Sequence, residues 1–175
     1  MSEVRVTTAP SAVLLQEIRR LLDAAFGDDF SDDDWDHTRG GWHAVVVDDD
    51  VVVAHAAVVP RILEVADRPL RAGYVEGVAT APAREGEGLG SLAMAAISEV
   101  VRGEFEMGAL STGRHRFYER LGWERWRGPT FVRDGAETVR TEEEDGGVMV
   151  LRFGPGDWVD LTAPISCERR PGDDW

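Results

Sequence analysis

The apolar positions of the chain follow two periods. Val13, Leu14, Ile18, Leu21, Leu22, Ala25 and Phe26 recur at helical spacing, and so do Leu89, Leu92, Ala93, Ala96, Ile97, Val100 and Val101. Each set marks the apolar stripe of an amphipathic helix. Pro10-Ser11 supplies a breaker and a cap before the first helix, and Gly27 ends it. Ser31 and Asp34 stand at capping-box spacing, so a further helix is expected to begin there. Another is expected over residues 114–121, stopped by Gly122.

Between these lie β-branched and aromatic runs of strand length, at residues 4–6, 42–47, 51–59, 61–65, 70–79, 108–111, 130–133 and 148–153. Asp48-Asp49-Asp50 forms a charged hairpin tip, Pro60 separates two of the runs, and Asp67-Arg68-Pro69 makes a turn. Strands joined by such short turns imply an antiparallel meander. Residues 142–145 read as an acidic turn closed by Gly146-Gly147. Pro155, Pro164 and Pro171 leave an irregular tail, in which Trp175 is expected to dock because an indole is costly to leave in water. No repeat, low-complexity segment or linker interrupts the pattern. A single α+β domain over residues 1–175 is the expected organisation.

Residues 73–102 hold the densest signal, a strand, a glycine-rich turn and a helix. The turn is Glu85-Gly86-Glu87-Gly88-Leu89-Gly90. Glycines at a helix start let unpaired backbone N–H groups approach an anion, which the helix dipole also favours. The same glycines serve equally well in a tight strand-to-helix connection. The spacing is not that of a Rossmann turn, and no Lys-Ser/Thr follows, which excludes a nucleotide P-loop. The chain contains no lysine.

Composition narrows the partners. At 175 residues and 43% hydrophobic content the chain can bury a sizeable core. No apolar run approaches a membrane span and no N-terminal segment resembles a signal peptide. The one cysteine, Cys167, excludes an internal disulfide and stands without a Cys–His pairing. A cytoplasmic location is the expectation. The net charge of −14 argues against nucleic acid or an anionic membrane as partner. It suits a polycationic ligand, and it also suits an ordinary acidic, soluble surface. Six acids crowd into residues 28–36. Asp32, Asp33 and Asp34 fit a helix N-terminus. Asp28 and Asp29 precede the cap, and Phe30 and Trp35 are interleaved, a composition that suits a cationic sugar. His55, alone within a strand, reads as structural.

The strand Val75-Glu76-Gly77-Val78-Ala79, the turn, the helix and the later Phe117-Tyr118-Glu119-Arg120-Leu121-Gly122-Trp123 together resemble the GCN5-related N-acetyltransferase superfamily. There the turn is the acetyl-CoA pyrophosphate loop, Arg/Gln-x-x-Gly-x-Gly/Ala. In the register that matches Gly88 and Gly90, Glu85 occupies the Arg/Gln position and Arg84 stands one residue early. Either Arg84 swings in or the register shifts. A wider set resembles one branch, the aminoglycoside 2′-N-acetyltransferases: Ala25-Phe26-Gly27-Asp28-Asp29-Phe30, Asp34-Trp35, His37-Thr38, Gly40-Gly41, His43-Ala44, Ala54-His55-Ala56-Ala57-Val58, Leu70 to Ala79, Gly108-Ala109-Leu110-Ser111, Tyr118, Gly128-Pro129-Thr130, Asp145-Gly146 and Gly172-Asp173-Asp174-Trp175. The stretch from Ser111 to Tyr118 is shorter than the family's.

The resemblance implies a central mixed, mostly antiparallel sheet flanked by helices, a homodimer, and direct acetyl transfer from acetyl-CoA to the 2′-amine of an aminoglycoside, without a metal. It implies acetyl-CoA contacts from Val78, Ala79, Arg84, Glu85, Gly86, Gly88 and Gly90. It implies substrate contacts from Asp29, Asp34, Glu76, Gly77, Ser111, Asp145, Asp173 and Trp175. Glu76 is the candidate general base, against a surface strand acid as its ordinary role. Tyr118 is the candidate general acid, against core packing. Gly77 or Val78 offers a backbone N–H to the oxyanion. Removing residues 173–175 is expected to weaken substrate binding and spare stability. Two alternatives stay open: transfer to another polyamine or amino sugar, and a non-catalytic acyl-CoA- or drug-binding module, for which Glu85 speaks.

Overall fold

In the computed structural model, which describes residues 1–175, the strands are β1 (Glu3–Thr7), β2 (Trp42–Asp48), β3 (Val51–Val65), β4 (Arg68–Thr80), β5 (Met107–Ser111), β6 (Glu124–Arg125), β7 (Thr130–Asp134), β8 (Glu137–Arg140), β9 (Val148–Leu151) and β10 (Ile165–Glu168). The helices are α1 (Ala12–Phe26), α2 (Asp32–Thr38), α3 (Leu89–Glu104) and α4 (His115–Glu119). Hydrogen bonds link the strands in the order β6-β9-β5-β4-β3-β10-β7-β8, with β2 on β3 and β1 on β2. The β4–β5 and β10–β7 pairs are parallel, while β1–β2, β2–β3, β5–β9 and β7–β8 are antiparallel. This is the mixed, mostly antiparallel sheet with helices that was expected. The chain divides into two compact units, Met1–Val59 with Val75–Val100 and Pro60–Tyr74 with Val101–Trp175.

In the first unit, Ser11 caps α1 by accepting from the Leu14 N–H, and Gly27 closes it. Ile18, Leu21 and Leu22 of α1 are buried with Val45, Val47, Val52 and Ala79. The apolar stripe is narrower than the sequence suggests, since Val13 and Phe26 are exposed. The β2–β3 turn places Asp49 and Asp50 at positive φ, as a two-residue hairpin turn demands. β3 runs straight through Pro60, where the sequence suggested a break. β2 pairs with Val51 to Val58 and β10 with Glu64 and Val65. Pro60 falls between the two, where neither of these strands needs its missing N–H.

In the second unit, β5 pairs with β4 from Ala72–Met107 to Tyr74–Ala109 and with β9 on its other edge. α4 is shorter than the expected 114–121, and Gly122 at φ +91° turns the chain to the buried Trp123. The tail beyond Pro155 is not wholly irregular, because Ile165–Glu168 forms β10 beside β7. No helix is long and apolar enough to cross a membrane.

Candidate active site

The candidate residues divide between the two units. In the first, Thr38 and His55 converge on Gly77 of β4. Gly77 has φ +57°, in the left-handed region, and a Cβ there would meet the Thr38 Cγ2 at 2.9 Å and Oγ1 at 3.0 Å. Conformation and space both restrict the position to glycine. Thr38 is fully buried at the end of α2, and its hydroxyl donates to the Asp34 carbonyl at 2.8 Å. The Asp34 carboxylate closes the capping box, accepting from Ser31 N at 2.8 Å and Ser31 Oγ at 2.9 Å. Asp29 lies exposed in the short 3-10 turn before α2. The aromatics beside it are already engaged. The Arg19 guanidinium sits 5.5 Å from the Phe30 ring centre and 5.7 Å from that of Trp35, while pairing with Asp23 and Asp32.

Gly77 is also held from below. His55 Nδ1 lies 2.6 Å from the Gly77 carbonyl, and His55 Nε2 lies 3.0 Å from His43 Nδ1. A carbonyl only accepts, so His55 carries its proton on Nδ1 and its Nε2 accepts from His43 Nδ1–H. Burial keeps both rings neutral, lowering the pKa of His43 and driving that of His55 down to about 3. The sequence marked His55 as structural and placed His43 within the family resemblance without a role. The signal was in the hairpin register, which sets His43 opposite Ala57 and so diagonal to His55. Along β4, Glu76 and Val78 are half-buried and Ala79 is buried.

Beyond β4, Gly86 and Gly88 hold φ +84° and +82°, with open space where a Cβ would sit. The demand there is conformational. The first bond into α3 runs from Leu92 N to Gly88 O at 3.2 Å, so the N–H groups of Leu89, Gly90 and Ser91 precede it. Arg84 is turned away onto carboxylates. Its Nε lies 2.7 and 2.8 Å from the two Glu87 oxygens and its Nη2 lies 3.2 Å from Asp48. Glu85 is exposed. The anion donors of this turn are therefore backbone groups.

In the second unit, Tyr118 of α4 is buried, with Phe117 and Trp123 packed edge-on against it. Burial pushes its phenol up to about 12, against a weaker opposing pull from Arg114, so the hydroxyl keeps its proton. Ser111 donates to Glu144 at 3.3 Å, and burial raises the Glu144 pKa. Sequence reasoning did not single out Glu144. Asp145 is gripped by both Nη atoms of Arg140 and accepts from Thr130 N at 3.1 Å and Thr130 Oγ1 at 2.9 Å. Arg140 first, then Thr130, holds its carboxyl down to about 2. A cavity of about 560 Å³ bordered by Arg125, Arg127, Arg140 and Asp145 opens here.

Trp175 is docked, as expected. It is 6% exposed, and its Nε1 donates to Thr141 Oγ1 at 3.2 Å. Thr141 Oγ1 in turn donates to Thr130 Oγ1 at 2.9 Å, which completes a chain from the indole to Asp145. Buried Arg61 straps the tail, donating to the carbonyls of Asp174 at 2.6 Å and Glu168 at 2.7 Å. Asp173 stays exposed. The first unit thus holds Asp29, Asp34, Glu76, Gly77, Val78, Ala79 and the turn. The second holds Ser111, Tyr118, Asp145, Asp173 and Trp175.

Comparison with known proteins bears on both groups. The family described as acetyltransferase (GNAT) domain matches residues 10–126, which take in β4, the glycine turn and α3. An aminoglycoside 2′-N-acetyltransferase of Mycolicibacterium fortuitum is 45% identical over 162 residues, 90% of this chain and 83% of that protein. A GNAT family acetyltransferase from Brucella melitensis, solved with acetyl-CoA, superposes with a TM-score of 0.66 at 19% identity, over 94% of each chain. The chain also spans 34% of a longer GCN5-related N-acetyltransferase from Kribbella flavida, at 25% identity, a TM-score of 0.61 and 73% coverage of its own length. With a left-handed glycine in β4, a glycine turn of backbone donors opening α3 and a 45% identical acetyltransferase across most of its length, the chain belongs to the GNAT acetyltransferases.

Proposed function

We propose that this protein transfers the acetyl group of acetyl-CoA directly to the 2′-amine of an aminoglycoside. The observation that carries this is the 45% identity to the Mycolicibacterium fortuitum aminoglycoside 2′-N-acetyltransferase over 90% of the chain. The Brucella melitensis neighbour, solved with acetyl-CoA, supports acetyl-CoA as co-substrate. The pyrophosphate rests on the backbone N–H groups that open α3. An ammonium is not a nucleophile, so Glu76 takes its proton, directly or through a water. The amine nitrogen then bonds to the thioester carbon, and the Val78 or Gly77 N–H stabilises the oxyanion. As the carbon–sulfur bond breaks, Tyr118, kept protonated by burial, gives the thiolate its proton, and the second proton shed by the attacking nitrogen, carried through water, restores the phenol. Asp29, Asp34, Ser111, Asp145, Asp173 and Trp175 serve the substrate's ammonium and hydroxyl groups. By family resemblance the enzyme is a cytoplasmic homodimer with one acetyltransferase domain over residues 1–175.

Transfer to a different polyamine or amino sugar is the second reading. It draws on Arg140 holding Asp145 and Arg19 covering Phe30 and Trp35, which leave fewer open contacts for a cationic sugar. Thiol release from acetyl-CoA with a panel of amines separates the two. Aminoglycosides with a 2′-amine should turn over while those with a 2′-hydroxyl do not. Equal turnover of both groups would overturn the assignment to the 2′-amine.

A further inference from the structure

We propose that the buried His43–His55 pair is a positioning device for the reaction, fixing the Gly77–Val78 peptide so that the Val78 N–H meets the developing oxyanion. The proposal deepens the acetyl-transfer reading and rests on it. Four observations in the first unit carry it. First, the His55 Nδ1–H ends on the Gly77 carbonyl at 2.6 Å, a backbone group next to Glu76. Second, the chain has no cis peptide, so the Gly77 C=O and the Val78 N–H of the same planar unit point in opposite directions. A bond that pins the carbonyl toward His55 therefore directs the N–H away from it. Third, Gly77 at φ +57° lacks the Cβ that would limit rotation of its peptides. Thr38, packed where that Cβ would lie, and His55 restrict it instead. Fourth, the pair is two rings deep and fully buried, at 1% and 0% exposure. Burying two imidazoles is costly unless each is bonded, and apolar side chains would fill the space more cheaply.

The chain also acts on donor strength. His43 donates to His55, which donates to the carbonyl, and each bond polarises the next. A peptide whose oxygen accepts such a bond carries a more positive N–H. The oxyanion donor is then oriented before the reaction, and it costs no reorganisation as charge develops.

The test uses the full chain with two variants. His55→Phe keeps an aromatic ring and removes the donor. His55→Asn keeps an N–H near the position of Nδ1. His55→Phe should lower kcat by about ten- to a hundredfold, a fraction of what losing an oxyanion donor outright costs. Affinity for CoA, measured by calorimetry, should stay within about twofold, because the pyrophosphate donors lie elsewhere. His55→Asn should recover most of the rate. A readout without turnover is the Val78 amide resonance. On exchanging CoA for an unreactive ketone analogue, in which a methylene replaces the acetyl-CoA sulfur, that amide should move downfield in the wild type and in His55→Asn, and move clearly less in His55→Phe. Wild-type kcat in His55→Phe, or an equal Val78 shift in all three proteins, would overturn the proposal. So would joint loss of rate, CoA affinity and melting temperature that His55→Asn fails to restore, since that marks a structural role. If His55→Phe does not fold, His55→Asn decides, and loss of its Val78 shift would overturn the proposal. If the wild type acetylates no amine, the functional reading falls, and the Val78 shift alone decides the role of the pair.

Discussion

His55 shows what a single residue concealed. In the sequence it is a histidine in an apolar strand, and calling it structural follows from its surroundings. Its partner Gly77 lies 22 positions away, and no local pattern announces a bond from a ring to a backbone carbonyl. A glycine within a strand, as at Gly77, ordinarily marks a close approach or a bulge. That the approaching group is Thr38 was not legible, because α2 and β4 meet only in the fold. The pair has a thermodynamic signature. Below its ordinary pKa of 6.5 the unfolded chain protonates His55, whereas the folded chain resists until about 3. The unfolded state therefore binds more protons in that window, and stability falls as pH falls through it, by about 1.4 kcal/mol per pH unit for this one group. Urea midpoints from pH 7 to pH 4 should drop more steeply in the wild type than in His55→Asn. Parallel slopes would mean that His55 is charged in the native state.

Among the elements, the long periodic ones were legible in the sequence, as were the apolar late strands β7 and β9, whereas β6, β8 and β10 were not. α1 and α3 announce themselves through stripes of seven residues each, and Ser31 with Asp34 announces the start of α2. β6, β8 and β10 have two to four residues; β6 and β10 pair with strands distant in sequence, while β8 folds back on β7 as a short polar hairpin with no apolar alternation to mark it. β8 is polar and largely exposed, as befits the end of the strand order. The tail bears on stability as well as on binding. Loss of residues 173–175 was expected to spare stability although Trp175 docks, yet the structure buries the indole and bonds Arg61 to the Asp174 carbonyl, which ties the tail to the core. Trp175→Ala should cost about 3–5 kcal/mol, the range for emptying a tryptophan site. It should also loosen Asp145 through Thr141 and Thr130, so substrate KM should rise together with a lower melting temperature. Calorimetric melting and steady-state kinetics on one preparation check both. An unchanged melting temperature with a raised KM would support the expectation that the tail serves binding and spares stability.

Across the molecule, arginine is the only strongly basic side chain, and much of it is already paired. Arg19, Arg84, Arg140 and Arg152 each hold one or more carboxylates of the chain itself. The net charge of −14 is thus carried by acids in excess of these pairs, a field that draws a polycation and weakens with salt. Composition suited a cationic partner and an ordinary acidic surface alike, and the motifs around Glu76 and Gly88 carried the resemblance that implies the acetyl donor. Which carboxylates stay open to a ligand emerged only from the structure, because Asp145 and Asp34 look alike in sequence and differ in what already holds them. The central claim is the transfer of one acetyl group to one amine. The most direct measurement is a two-dimensional NMR assignment of the product formed from acetyl-CoA and an aminoglycoside carrying several amines, the 2′-amine among them. The account predicts a single acetamide at the 2′ position. A product acetylated at another amine, or a mixture of positions, would contradict it.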